Sequence, residues 1–306
     1  MVRILLLLVS LVVLGNSIPM DGPVNQHLLD NIQKIELHNA NPNKTFIMRV
    51  NRMSSLSPEQ YAARLGLRQP SIMTSPHNFT WYSKTTDVSV PVLLNWTARG
   101  IVNRVKDTGA CGADWAFSAI GALEGQHAIQ RGSKMDLSEQ NLVDCSINGK
   151  NDGCQGGSVT DAYQYIMKNG VDTEQSYPYV GKKQSCQFGK DTVGETIDWY
   201  TLVPNDESYL ENACAFKGPI SVVIDANHAS FQNYGGGIYY EPKCSATEVN
   251  LAMLLVGYNY DPATENFYWI LKNSFGTDWG EQGYMRLRRD GKAMCGITTM
   301  ASFPTI

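Results

Sequence analysis

Cysteine thiols and histidine imidazoles are the side chains of this sequence best suited to covalent or metal chemistry. The 306 residues include seven cysteines and five histidines. Neither a Cys-x-x-Cys pair nor a His-x-x-x-His pair occurs, so the spacing lacks the usual ligand pattern of a zinc site. We therefore expect no metal and no cofactor. Each thiol is left to act as a nucleophile, as half of a disulfide or as a small buried apolar side chain.

The number of cysteines is odd, so at least one of them has no partner within the chain. The seven are Cys111, Cys145, Cys154, Cys186, Cys214, Cys244 and Cys295. Six cysteines can pair in about 15 ways, so spacing alone leaves the connectivity open.

The N-terminus predicts a signal peptide over residues 1–17. Arg3 supplies a positive charge, an apolar run extends from Ile4 to Leu14, and small residues follow at Gly15 and Ser17. The run is shorter than the roughly 20 residues of a membrane span, so no stable membrane anchor is expected. We expect secretion to the extracellular space, with the lysosome as the alternative, and a compartment in which disulfides form.

Three Asn-x-Thr triplets predict N-glycosylation at Asn43, Asn78 and Asn95.

The overall composition is that of a globular protein, with 43% hydrophobic and 18% charged residues. The formal net charge of -4 and the absence of a Lys/Arg block argue against a nucleic-acid partner.

Local patterns divide the chain into a polar leader and a larger remainder. Apolar residues at helical spacing from Leu28 to Leu37 predict one amphipathic helix, and a second begins near Ser57-Pro58-Glu59. Residues 69–88 are rich in Ser, Thr, Pro and Asn without periodicity, which predicts a linker.

Helices dominate the first half of the remainder and strands the second half. The expected helices are Asp114–Arg131, Ser138–Val143 and Ser158–Asn169. The expected strands are Ile220–Ile224, Met253–Tyr258, Tyr268–Lys272 and Gly283–Arg288. This order predicts an α+β fold with two lobes.

Four segments carry a resemblance to a known family. Residues 105–118 read VKDTGACGADWAFS, residues 153–157 read GCQGG, residues 268–284 read YWILKNSFGTDWGEQGY and residues 295–304 read CGITTMASFP. Together they resemble the papain-family cysteine peptidases, most closely the cathepsin L branch. The resemblance implies a two-lobed papain-like fold over residues 88–306, with a helical left lobe and a β-barrel-like right lobe.

Residues 18–87 resemble a shortened form of the family's helical inhibitory pro-segment, and we call them the leader. Asn31, Ile35 and Asn39 match the family pattern, whereas Arg49 and Met53 stand where the family has Gly and Phe. We expect the leader to assist folding rather than to inhibit tightly.

The resemblance also assigns the catalytic positions. Asp114 stands where the family has its nucleophilic cysteine, and Thr108 stands where it has the glutamine that donates to the oxyanion. Residues 248–253, EVNLAM, align with the histidine segment and place Leu251 at the histidine. Asn273 alone remains, without an imidazole to orient.

These replacements predict that peptide hydrolysis is negligible. A carboxylate is a feeble nucleophile toward an amide, and its charge repels a developing oxyanion. We expect Asp114 either to cap the central helix or to attract a ligand cation or amine. A helix N-terminus also favours the anion by roughly 0.3 to 1 kcal/mol, which would lower the basicity of Asp114.

Other residues of the family pattern have structural or cleft roles. Gly156, Gly157, Asn250 and Trp279 are expected in a peptide-binding cleft. The resemblance pairs Cys111 with Cys154, Cys145 with Cys186 and Cys244 with Cys295, which leaves Cys214 as a free and buried thiol. His127 and His228 fall outside the catalytic position and are expected to be solvated or in the core.

Three functions are open at this point. The first is a secreted, non-catalytic binding or regulatory protein that holds a peptide, a peptidase or an inhibitor. The second is an endolysosomal cysteine endopeptidase with residual or altered activity. The third is a structural or storage protein. We expect a monomer in each case.

Overall fold

The computed structural model describes residues 25–68, 79–147, 151–189 and 192–306. The predicted signal peptide, Asn78 and the first ten residues of the predicted linker lie outside these ranges. The α-helices are α1 Gln26–Ala40, α2 Pro58–Ala62, α3 Asp114–Arg131, α4 Glu139–Cys145, α5 Val159–Asn169, α6 Glu207–Lys217 and α7 Ala229–Gln232. The strands are β1 Phe46–Met48, β2 Phe79–Trp81, β3 Leu94–Asn95, β4 Val171–Asp172, β5 Val193–Glu195, β6 Trp199–Leu202, β7 Ile220–Ile224, β8 Tyr234–Tyr239, β9 Leu251–Asp261, β10 Asn266–Lys272, β11 Tyr284–Arg289 and β12 Ser302–Thr305.

A ten-stranded sheet organises the second half of the chain. Nine strands follow the order β1-β8-β11-β10-β9-β7-β12-β6-β2, and β3 pairs with β9 beside this path. The long strand β9 pairs with β7, β10 and β3, in each case antiparallel. Strand β9 therefore lies at the centre of the sheet, and it begins at Leu251.

Helix α3 lies between the sheet and the smaller helices. It contacts β7, β9 and β12 on one side and α4 and α5 on the other. Because both sides are covered, the helix is apolar on several faces, and all its residues from Asp114 to Ala128 are buried. Two large hydrophobic clusters result, one mainly within the sheet and one between α3, α4 and α5, and a third, small cluster joins Ala122 of α3 to Leu254 and Val256 of β9.

The leader is built into the larger cluster. Strand β1 pairs with β8 at one end of the sheet, so that Phe46 lies opposite Gly237. Leader residues contribute side chains to the same cluster as the sheet: Ile35, Phe46, Met48, Met53 and Tyr61. A capping box between Ser57 and Gln60 starts helix α2, as the Ser-Pro-Glu sequence predicts.

The linker prediction is wrong for residues 79–82, whereas residues 83–88 form neither helix nor strand. Residues 79–81 form strand β2, which pairs in parallel with β6, and Thr80 and Thr201 hydrogen-bond through their hydroxyls at 2.9 Å. Tyr82 is buried and donates its hydroxyl to Asn212 at 2.6 Å. The polar composition concealed a strand whose ladder partners lie about 120 residues away in the sequence.

Candidate functional site

Asp114 lies at the start of the central helix, as the sequence predicts, but it does not cap it. The N-cap is Ala113, which has no side-chain capping bond, and Asp114 is the first helical residue. Its side chain is completely buried and Ala113 holds the N-cap position, so the expectation of a cap is wrong. The expectation that Asp114 attracts a ligand cation or amine stays a prediction. No ion pair to Asp114 is found among the described residues.

The Asp114 carboxylate joins three segments of the chain. Its Oδ1 accepts a hydrogen bond from the Gly66 amide at 2.7 Å, and its Oδ2 accepts one from the Ala252 amide at 2.6 Å. Burial raises the pKa of Asp114 to about 7, against the opposing effect of the hydrogen bonds from Ala252 and Gly66. The amides at the start of the helix, Asp114 and Trp115, do lower the pKa as expected, but burial outweighs them.

Leu251 begins β9, directly before the amide that binds Asp114. It is completely buried and packs in the hydrophobic cluster of the sheet. It gives the site no proton donor or acceptor in its side chain.

The residues at the positions of the oxyanion glutamine and of the asparagine are Thr108 and Asn273, and both are hydrogen-bonded within the fold. The buried Thr108 hydroxyl donates to the carbonyl of Ser274 at 3.1 Å, so it is engaged within the fold. Asn273 is buried, and its Oδ1 accepts the Ser274 amide at 2.8 Å. Its Nδ2 has no hydrogen-bond partner within the part of the chain that the structure describes.

A small polar cavity lies behind these residues. It is lined in part by Lys106, Ser118, Met253 and Asn273, and has a volume of about 20 Å³. A cavity of this size holds about one water molecule. The space is too small for a peptide side chain.

The predicted cleft residues bind the leader. Gly157 donates its amide to the carbonyl of Gly66 at 2.8 Å and accepts from the amide of Arg68 at 2.7 Å. The carbonyl of Asn250 accepts from the amide of Leu67 at 3.2 Å. Residues 66–68 therefore lie between Gly157 on one side and Asn250 on the other, in an extended pairing.

Gly156 and Trp279 have mainly structural roles. Gly156 has a φ of 106° and lies where a Cβ would approach the Gly66 carbonyl to 2.6 Å, so the turn and the leader both require glycine. Trp279 is completely buried and donates its indole N–H to Phe231 at 3.0 Å. It does not line an open cleft, which differs from the sequence expectation.

The seven cysteines, His127 and His228 have structural surroundings and do not form a nucleophilic site. Disulfides join Cys111 to Cys154, Cys145 to Cys186 and Cys244 to Cys295. Cys214 is free and completely buried, and burial raises the pKa of its thiol strongly. His127 and His228 contact carboxylates of Glu195 and Asp225, with nitrogen–oxygen distances of 2.6 Å and 3.0 Å.

Two residues of the site were not found from the sequence. Gly66 lies 48 residues before Asp114, and no local pattern relates the two. Asp225 accepts the side-chain amide of Asn250 at 2.8 Å and so holds the segment before Leu251. The sequence Asp225-Ala226-Asn227-His228 contained both members of the Asp225–His228 pair, and their i,i+3 spacing was the available signal.

Of the two described glycosylation candidates, Asn43 is exposed. Asn95 is half-buried, and its side-chain oxygen accepts the amides of Thr97 and Ala98 at 2.9 Å and 3.1 Å. Among the residues that the structure describes, no helix has the length and apolar character to cross a membrane.

Comparison with known proteins identifies the class. The family model for papain family cysteine proteases matches residues 90–305, and the chain belongs to this family. Within it the chain is cathepsin L-like. A "Cathepsin L-like" protein of Caenorhabditis elegans is 45% identical over 281 residues, which cover 90% of this chain and 83% of that protein. Procathepsin L of Mus musculus is 39% identical over 283 residues, covering 90% and 84%.

Solved structures confirm the papain-like α+β fold. Digestive procathepsin L 3 of Tenebrio molitor larval midgut superposes with a TM-score of 0.85 at 36% identity, covering 95% of each chain. Digestive procathepsin L2 of the same source superposes with a TM-score of 0.87 at 31% identity, covering 100% of this chain and 99% of that one.

Proposed function

We propose that this chain is a catalytically inactive cathepsin L-like homologue that binds a peptide or protein segment and does not cut it. In this proposal Asp114 replaces the nucleophilic cysteine and Leu251 replaces the histidine. The oxyanion glutamine is replaced by Thr108, and Asn273 is a remnant without a partner imidazole.

The observation that carries the proposal is the bonding of Asp114. A nucleophile must reach the substrate carbonyl, and a general base must take up a proton from the attacking group. The Asp114 carboxylate is fully buried, and each of its oxygens already accepts a backbone N–H. It is a bound structural acceptor, not a free attacking group.

The other groups near Asp114 do not restore the chemistry. Leu251 cannot exchange a proton, and the Thr108 hydroxyl is bound to Ser274. Removing nucleophile or base from a serine protease costs about 10⁶ in kcat. A loss on this scale would make peptide hydrolysis negligible.

The backbone pairing at the cleft supports binding of an extended segment. Gly157 and Asn250 each offer backbone groups to residues 66–68, which is how a strand is added to an existing edge. We propose a peptide or protein partner of this kind, which includes a peptidase or an inhibitor. We further propose that the protein is secreted to the extracellular space, since three disulfides fit an oxidising compartment.

A peptide-hydrolysis assay tests the proposal. We expect no thiol-dependent turnover of a cathepsin L-type peptide by the wild-type chain. Asp114→Cys combined with Leu251→His should label with an activity-based thiol probe, and each single substitution serves as the matched control. Turnover by the wild type that is lost in Asp114→Ala would show that the chain is an enzyme.

A further inference from the structure

We propose that a pocket away from the catalytic positions binds the carboxylates of an acidic peptide segment. The pocket lies between residues 44–49 and strand β8, at one end of the sheet, and its volume is about 600 Å³. Ligand sites in proteins usually have volumes of about 300 to 1,000 Å³. The inference goes beyond the proposed function, because the pocket includes neither Asp114 nor Leu251.

Three parts of the chain line this pocket. Residues 44–47 and Arg49 contribute one part, and the three glycines at 235–237 in strand β8 contribute the second. The third part is the turn between β10 and β11 together with Arg286 at the start of β11. The binding site is therefore assembled from segments that are far apart in the sequence.

Positive charge is in excess around the pocket. Arg286 and Glu281 neutralise each other, with a shortest nitrogen–oxygen distance of 2.6 Å. The lining contains three cationic side chains and two carboxylates, so its formal net charge is +1: Lys44, Arg49, Arg286, Asp278 and Glu281. An anionic group is therefore the ligand that the lining attracts.

The excess charge belongs to Lys44 and Arg49. Neither side chain forms an ion pair within the part of the chain that the structure describes. The Lys44 ammonium donates to the neutral carbonyl of Asn41 at 3.3 Å. A guanidinium such as that of Arg49 is a planar fork of N–H donors that binds a carboxylate through two parallel hydrogen bonds. Carboxylates on the ligand would thus complete both cations.

The glycines of strand β8 make room for the charged side chains. A Cβ on Gly235 would lie 2.6 Å from Arg49 Cγ, and a Cβ on Gly236 would lie 3.2 Å from Glu281 Oε1. The amide of Gly237 donates to the same Glu281 oxygen at 2.9 Å. A larger residue at position 235 would displace Arg49, so the place of this arginine in the pocket depends on the glycine.

The mixed charge of the lining favours a peptide over a sulfated glycan. The Asp278 side chain is 51% exposed and can accept hydrogen bonds, so it attracts N–H donors and repels sulfates. A peptide segment supplies backbone N–H donors as well as carboxylates, whereas a highly sulfated glycan brings a dense row of negative charges. The ligand class is therefore an acidic peptide segment.

Fluorescence anisotropy with the full chain tests the pocket. The probe is a labelled decapeptide of alternating Glu and Gly, and its neutral control has Gln in place of every Glu. We expect the Glu peptide to bind and the Gln peptide not to bind. Binding should weaken as the salt concentration rises from about 0.05 M to about 0.5 M, because salt screens charges that are open to solvent.

Substitutions in the lining sharpen the test. Arg49→Gln should weaken binding about threefold, and Lys44→Gln combined with Arg49→Gln about tenfold, as expected for exposed charge pairs. Arg288→Gln is the matched control and should leave the affinity within about twofold, since Arg288 lies outside the lining and stacks on Tyr240 at 4.7 Å. Gly235→Ala keeps every charge but displaces Arg49, and should also weaken binding about threefold.

Equal binding of the Glu and Gln peptides would overturn the proposal. So would an unchanged affinity in the folded double variant, whose fold is checked by circular dichroism; the removed side chains are exposed or half-buried and are not part of the core. Binding of heparin without binding of the Glu peptide would assign the pocket to a sulfated glycan instead. Peptide turnover by the wild type would refute the proposed function and leave this pocket unaffected.

Discussion

Two aspartates bind the residues on either side of Leu251, each in a different way. Asp114 accepts the backbone amide of Ala252, and Asp225 accepts the side-chain amide of Asn250 at 2.8 Å. Both carboxylates are largely removed from solvent, with residue exposures of 0% and 7%. Their protonation behaviour is nevertheless opposite.

The difference arises from the partners. Burial would raise the pKa of Asp225, but hydrogen bonds from His228, the Ser245 amide and Asn250 lower it to about 2. Asp225 in turn raises the pKa of His228 through their hydrogen bond. Among the described residues, Asp114 has amide partners only, and burial prevails, so its pKa rises to about 7. A cationic partner, and not burial alone, decides which buried carboxylate stays charged.

The two carboxylates therefore change the stability of the protein with pH in opposite directions. Between about pH 4 and pH 7, folded Asp114 keeps a proton that the unfolded chain has released, so its contribution is full below pH 4 and is lost as the pH rises to 7. Asp225 contributes above pH 4, and that contribution is lost as the pH falls toward 2.

The largest expected effect is the pH dependence that Asp114 imposes. The free energy of unfolding should fall by up to about 4 kcal/mol between pH 4 and pH 7, at about 1.4 kcal/mol per pH unit. Asp114→Asn cannot titrate and should lack this component. Urea unfolding of both proteins, with disulfides intact, gives the difference at each pH. Parallel curves would mean that Asp114 does not titrate in this range.

A smaller effect of opposite sign is expected for Asp225→Asn. This variant should lose about 2 kcal/mol of stability at neutral pH, because the charge that His228 and the amides stabilise is gone. The deficit should shrink as the pH falls from 4 toward 2, where wild-type Asp225 is itself protonated. His228→Ala is the matched control and should itself show part of the same loss of stability. A deficit that is constant from pH 7 to pH 2 would contradict the assignment.

Local patterns were sufficient for helices α3 to α5 and for strands β7, β9, β10 and β11, whereas helix α6 and strand β12 were missed. The continuous apolar character from Asp114 onward predicts α3 with the bounds that the structure has, and β7 was likewise found over Ile220–Ile224. Strand β8 was missed because residues 235–237 are three glycines, which do not favour strands. It forms because β1 and β11 offer it hydrogen-bond partners, which is a non-local cause.

For the site, the sequence located Asp114 and Leu251 but not their contacts, and it missed Gly66 and Asp225. The family resemblance pointed to Asp114 and Leu251. The partners of Asp114 lie 48 and 138 residues away, so no spacing rule could connect them. The helix N-terminus alone predicts a more acidic carboxylate, and only the complete burial seen in the structure reverses that direction.

The smallest expected effect measures the coupling between Asp114 and Asn250, the side chain that Asp225 holds. Asn250→Ala removes the side-chain bonds to Asp225 and to the Ala226 amide, and should cost about 1 kcal/mol. Since Asp114 and Asn250 both fix the backbone on either side of Leu251, the combined Asp114→Asn, Asn250→Ala variant should deviate from additivity by at least about 0.5 kcal/mol. Urea unfolding of the four proteins in this cycle measures the deviation. Additivity within about 0.3 kcal/mol would mean that the two carboxylates hold their neighbours independently, and that Leu251 is positioned by its own packing in the sheet.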